Sequence, residues 1–272
     1  MANSFGLPSA KTGPSLRPPR FRAIRTIAAL ILREMSSTYG RSPGGYIWAI
    51  LSPLGAILIM SFAFSFMVRS PALGTSFILF YATGYLPYNL YMQLTAKIGT
   101  ALRYSQALMS YPGVTWLHAL LGRLILNTLT LTMVFCIVII GITMAVDTRT
   151  VIDIRPILDG LLLATLTGFG IGMMNALLVG LFPIWERIWI IITRPLFLIS
   201  GILFLYEDMP KVGQDFLWWN PLIHATALIR TGFYPTYHAS FVSLPYCYGF
   251  ALTLITLALI FLRKSFRTVM EQ

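Results

Sequence analysis

The chain has 272 residues, 57% of them hydrophobic and 11% charged, with a mean hydropathy of +0.75 and a formal net charge of +11. A soluble domain carries about 25% charged residues, so this composition leaves too little polar surface for a water-soluble globule and points to a single membrane domain. The excess positive charge does not mark a nucleic-acid binder: seven of the 20 basic residues precede the first long apolar run, where they suit anionic lipid, and no groove-reading or base-stacking module is visible.

Residues 1–19, rich in Ser, Gly and Pro, read as a flexible cytoplasmic arm. From Arg20 to about Ser37, Phe21, Ile24, Ile27, Ala28, Ile31 and Met35 share one helical face, with Arg22, Thr26, Arg33 and Ser36 opposite. That pattern predicts an amphipathic helix lying in the membrane interface over about 20–37, with Arg22, Arg25 and Arg33 turned to the cytoplasm. The same arginines interrupt the apolar stretch, which argues against a cleavable signal peptide.

The run Tyr46–Val68 then lacks any charge between Arg41 and Arg69. At about 1.5 Å per residue it is long enough to cross a hydrocarbon core of roughly 30 Å. Similar runs over about 75–96, 119–146, 157–181, 188–206 and 244–262 predict six transmembrane helices in an all-α integral membrane protein. With the N-terminus inside, the cytoplasmic segments hold the basic N-terminal region, Lys97, Arg103, Arg187, Arg263, Lys264 and Arg267. Arg69, Arg149, Arg155, Lys211 and Arg230 fall outside. The bias places both termini in the cytoplasm, which requires an even number of spans. Residues 97–118 form a cytoplasmic segment with room for a short helix and a Pro-Gly turn. Residues 207–243 are too apolar for a free external loop and too broken by Pro210, Pro221 and Pro235 for a span, so they predict re-entrant helices before the last span.

Signatures of catalysis do not emerge. There is no GxxxxGK[ST], HExxH or GxSxG; His118, His224 and His238 are far apart; and Cys136 and Cys247 sit singly in apolar runs. A metal site, a structural disulfide and a bound cofactor are therefore not expected. Two arginines stand at membrane depth, Arg123 in the third predicted span and Arg194 in the fifth. Each either snorkels to the cytoplasmic interface or lines a path for an anionic substrate. Tyr81, Tyr85 and Tyr88 fall at i, i+4 and i+7, one helix face whose rings and hydroxyls suit sliding contact with sugars, although most aromatics of such a chain serve interfacial belts and packing.

Four ordered motifs carry a resemblance from about residue 20 to the C-terminus. They are Tyr39-Gly40-Arg41-Ser42-Pro43-Gly44-Gly45-Tyr46-Ile47-Trp48-Ala49 with Pro53; Leu108-Met109-Ser110-Tyr111-Pro112-Gly113-Val114 with Arg123; Phe182-Pro183-Ile184-Trp185-Glu186-Arg187-Ile188-Trp189; and Trp219-Asn220-Pro221-Leu222-Ile223-His224 with Arg230 and Pro235-Thr236-Tyr237. The chain resembles permease subunits of capsule-polysaccharide ABC exporters, type-2 ABC transporters, departing from them at Gly44, Ser52, Trp116, His118 and Ala227. The resemblance implies a permease that is not itself an enzyme, paired as a homodimer with two copies of a cytoplasmic ATPase that uses ATP and Mg. It implies a bacterial inner-membrane location and a cargo of lipid-linked capsular polysaccharide moved from cytoplasm to periplasm. Periplasmic co-polymerase and outer-membrane export proteins are further expected partners. Residues 20–272 become the transmembrane domain. The segment around Ala101–Gly113 becomes the coupling helix, with Leu102, Arg103, Leu108, Tyr111 and Pro112 as candidates for docking the ATPase. The alternatives are the same machinery carrying O-antigen, teichoic acid or another lipid-linked glycan, a membrane-embedded glycan-modifying transferase, and a passive channel or scaffold.

Overall fold

A computed structural model of the chain describes residues 22–38, 44–66, 68–109, 111, 113–146 and 150–270, and every regular element among them is helical. The expected arm at 1–19, the motif residues Tyr39–Pro43 and Pro112 lie outside the described residues, as does the side chain of Arg22. In chain order the helices are α1 (Arg22–Thr38), α2 (Gly45–Ser65), α3 (Phe77–Gly99), α4 (Ala101–Ser105), α5 (Trp116–Ala145), α6 (Ile154–Leu181), α7 (Trp185–Ile199), α8 (Lys211–Leu217), α9 (Pro221–Phe233) and α10 (Leu244–Met270).

Four of these, α2, α5, α6 and α10, are long and apolar enough to cross a membrane. Helix α3 has the length, with 23 residues, but its tyrosines, Asn89 and Gln93 make it more polar. Helix α7 is shorter than the expected fifth span: it stops at Ile199 instead of running to residue 206, and its 15 residues reach about 22 Å.

The core is built on α3 and α6, which lie side by side at the centre. Small residues on α6 allow the approach: a Cβ on Gly172 would stand 2.7 Å from the Ile98 Cβ of α3. Beside it, the Thr95 hydroxyl donates to the Gly168 carbonyl across the interface at 3.2 Å. Such close backbones with an interhelical hydrogen bond are the usual way apolar helices associate where lipid offers no hydrophobic drive. Helices α9 and α10 pack on the rest of α6, α5 and α2 pack on α3, and α1 lies across α5, with Leu30 and Ile31 over Gly122.

Local chemistry sets the helix ends. Thr115 and His118 form a reciprocal cap at the start of α5, the hydroxyl accepting from the His118 N–H and the His118 Nδ1 accepting from the Thr115 N–H. The carboxylate of Asp153 caps α6, and its own N–H donates to the Gly232 carbonyl at 2.8 Å, tying the start of α6 to the end of α9. At the other end of α6, α7 begins beside α4 and then runs back along α3. Phe197 meets Tyr88 at 5.5 Å, and Ile202 lies against Gly84. By Phe204 the chain has reached the level of Phe80, near the start of α3.

Candidate functional site

Two polar centres stand at opposite ends of α3. At its C-terminal end, Arg123 of α5 is 5% exposed at the side chain and pairs with Glu34 of α1, itself 12% exposed, at 2.9 Å. The same guanidinium donates to the Lys97 carbonyl at 2.6 Å and to the Thr100 hydroxyl at 3.2 Å, where α3 ends. It also lies 4.4 Å over the Tyr104 ring of α4, and the Arg33 guanidinium is 5.9 Å from that ring. The Tyr104 hydroxyl shares a 2.7 Å hydrogen bond with Ser37. Four helices thus converge on one arginine. Nearby, Arg103 of α4 pairs at 3.4 Å with Glu186 of α7, but both side chains are more than half exposed.

At the other end, Arg230 of α9 is 2% exposed, with its guanidinium 4.1 Å over the Phe80 ring. Its two terminal nitrogens donate to the carbonyls of Phe204 and Ile202, at 3.0 and 2.9 Å. The Asn220 amide donates to the Ile199 carbonyl at 3.0 Å, and the Thr226 hydroxyl to the Ser200 carbonyl at 3.1 Å. A helix end leaves its last carbonyls unpaired. Here α7 breaks at Ser200 and Gly201, where Gly201 takes the left-handed conformation at φ 70°, and three side chains from Asn220 onward collect the freed oxygens. Irregular backbone at membrane depth is tolerated when it is satisfied in this way.

The surrounding residues stiffen this end. Ser243 donates its N–H to His224 Nδ1, which leaves His224 Nε2 to donate to the Trp218 carbonyl at 2.8 Å. Tyr237 donates to the Glu207 carboxylate at 3.1–3.2 Å; burial, and after it that carboxylate, raises the Tyr237 pKa above its ordinary value. A cavity of about 410 Å³ opens between α6, α7, α8 and α10, lined mostly by apolar groups such as Ile171, Trp189, Leu196 and Phe216. A smaller one of about 230 Å³ lies nearer α4, with Thr95, Asn175, Glu186 and Thr193 in its wall.

The five expected path residues do not form one surface. Tyr81 is buried, packed against Phe64 of α2 and Phe80. Tyr88 is buried and Tyr85 half-buried, their rings 6.5 Å apart. Arg194 stands exposed on the outer face of α7, beside Ile191 at 67% exposure, whereas Arg123 is enclosed by α1, α3, α4 and α5. Of the expected docking residues, Leu102 is buried, Leu108 half-buried, and Arg103 and Tyr111 exposed; Arg25 and Arg33 are exposed on α1. Reading the residues alone missed Glu34 and Tyr104 as partners of Arg123, and Asn220, Thr226 and Arg230 as the cap of α7. The visible signal was Asn220-Pro221, a helix-start pair.

Residues 25–234 match the family model described as ABC-2 type transporter. The chain is 29% identical over 232 residues to the polysialic acid transport protein KpsM of Escherichia coli, covering 85% of this chain and 89% of that protein. It is 24% identical to the capsule polysaccharide export inner-membrane protein CtrC of Neisseria meningitidis, covering 77% and 79%, respectively. It is also 22% identical to the capsule polysaccharide export inner-membrane protein BexB of Haemophilus influenzae, over 91% and 94%.

Proposed function

This chain belongs to the ABC-2 type transporter family, and from that premise we propose that it is the inner-membrane permease of an ATP-driven exporter of capsular polysaccharide. The carrying observation is that similarity to relatives named for polysialic acid transport and capsule polysaccharide export covers 77–91% of the chain. The sequence offers no P-loop, which fits an energy source in a separate ATP-hydrolysing subunit using Mg.

In this reading the α4 end of the molecule faces the cytoplasm and α8 the periplasm. Helices α2, α3, α5, α6 and α10 cross the membrane, and α7 with the capped segment to Phe204 makes the sixth crossing. Helices α8 and α9 re-enter the outer leaflet. Two copies pair and two ATPase subunits dock at the segment from Ala101 to Gly113. Closure of the ATPases on ATP pushes α4 and α1 and parts the two copies along α2 and α7, whose apolar faces stand exposed at Ile59 (71%), Phe62 (68%) and Ile191. Lipid-linked glycan passes along that seam, with Tyr85 and Arg194 as its contacts. Arg123 has no free donor face toward a seam and holds helices together instead.

Deletion of the gene tests the proposal. The expected outcome is loss of surface glycan with lipid-linked polymer of normal length accumulating inside the cell. Polymer that still reaches the surface but lacks a substituent would point to a glycan-modifying enzyme and sink the exporter.

A further inference from the structure

Resting on the permease reading, we propose that Glu34 and Tyr104 are positioning residues that lock α1 and α4 onto α5 through Arg123, so that a thrust on α4 moves these elements as one body. The ion-paired joints of α4 differ in kind. Toward α1 and α5, a carboxylate and a guanidinium, both nearly enclosed, meet at 2.9 Å, and the guanidinium is further held by Lys97, Thr100 and the Tyr104 ring. Enclosed pairs are little screened, and removing one partner strands the other charge. On its other side Ala101 and Leu102 are buried with Met173 and Ala176 of α6, and Arg103 donates to the Val179 carbonyl there. Toward α7 itself, however, the joint is the exposed Arg103–Glu186 pair at 3.4 Å, of a sort that holds little.

The ring of Tyr104 completes the stiff joint. Its face carries Arg123, its hydroxyl bonds Ser37 at 2.7 Å, and Arg33 lies within cation–π range, so α4 cannot turn without dragging α1. Asn127, one turn along α5, donates to the Arg123 carbonyl at 2.8 Å and continues the polar contact inward. The hinge of the machine therefore lies between α4 and α7, not between α4 and the interface helix.

The test uses the full permease with its ATPase, reconstituted in lipid vesicles, reading glycan moved per ATP hydrolysed. Glu34→Gln, which strands the Arg123 charge, and Tyr104→Leu, which removes the ring beneath it, should keep membrane abundance and ATP hydrolysis but lower that ratio about tenfold. Tyr104→Phe, which retains the ring beneath Arg123, and Glu186→Gln, at the exposed joint, should stay within about twofold. Spin labels at Leu32 of α1 and Leu117 of α5 should keep one separation with and without ATP in the wild type, and spread in Glu34→Gln. An unchanged ratio in both Glu34→Gln and Tyr104→Leu overturns the proposal. So does loss of abundance and hydrolysis together with export, which would mark the cluster as a folding element. A wild-type complex that moves no glycan while the labels hold their separation rejects the capsule reading and leaves the clamp standing.

Discussion

Arg230 shows what a buried charge can do when its partners are backbone. Among the described residues its guanidinium makes no carboxylate ion pair; it donates to two carbonyls of the irregular stretch that follows α7 and lies on Phe80. Each carbonyl left buried without a donor costs about 1–3 kcal/mol. Arg230→Ala should therefore lower the stability of the detergent-solubilised protein by about 2–6 kcal/mol, read as a fall in thermal midpoint. Arg230→Lys should lie between, since one ammonium reaches one carbonyl well and lacks the planar fork. Equal stability of all three forms would mean that water or lipid headgroups replace the cap. Arg123 was legible in the sequence as a costly exception to an apolar rule, though its role was not, whereas Arg230 read only as one of the basic residues outside the membrane. The partner of Arg123 is 89 residues away, and the acceptors of Arg230 are main-chain oxygens 26 and 28 residues away, which no composition or spacing marks.

At the scale of elements, the α3–α6 contact sets how the bundle packs. Gly172→Ala would bring a Cβ to 2.7 Å from Ile98 and 3.2 Å from the Thr95 carbonyl, so two central helices must part. Overpacking of this kind costs about 1–3 kcal/mol. Gly141→Ala on α5, where a Cβ meets nothing within 4 Å, should be neutral or slightly stabilising through helix propensity. Thermal melts of the two variants side by side check the contrast, and equal melting would show that α3 and α6 slide past the added methyl. Apolar runs made the long helices legible, because a run of that length has few other ways to satisfy its backbone. The end of α7 was not legible: Ser200 and Gly201 sit inside the apolar run 188–206, and what fixes the break comes from α8–α9. The tyrosine face of α3 was visible in its spacing, but its direction was not, since packing against Phe64 and Phe197 decides it.

For the whole molecule, the decisive question is whether the chain crosses the membrane between Leu181 and Lys211. Helix α7 has 15 residues, about 22 Å, against a hydrocarbon core of roughly 30 Å. Alone it falls short. Yet Glu186 at its start meets Arg103 beside the C-terminal end of α3, and Phe204 is joined through Arg230 to Phe80 beside the N-terminal end. Helix α3 has 23 residues, so the two points stand about 30 Å apart along it. In the proposed topology the capped segment after Ile199 supplies the missing length, so that a helix and a stretch of satisfied irregular backbone cross in series. With α5 and α6, the proposed topology has three crossings between Tyr111 and Val212 and puts the two residues on opposite sides. Both are exposed, at 64% and 84%. Single cysteines placed at Tyr111 and at Val212, with Cys136 and Cys247 replaced by alanine, should therefore react differently with an impermeant maleimide on intact spheroplasts. Val212→Cys is expected to label from outside, and Tyr111→Cys only after the membrane is opened. Labelling of both from one side would reduce the crossings to two, turn α7 into a helix that enters and leaves by the same face, and put the C-terminal end of α10 opposite α1.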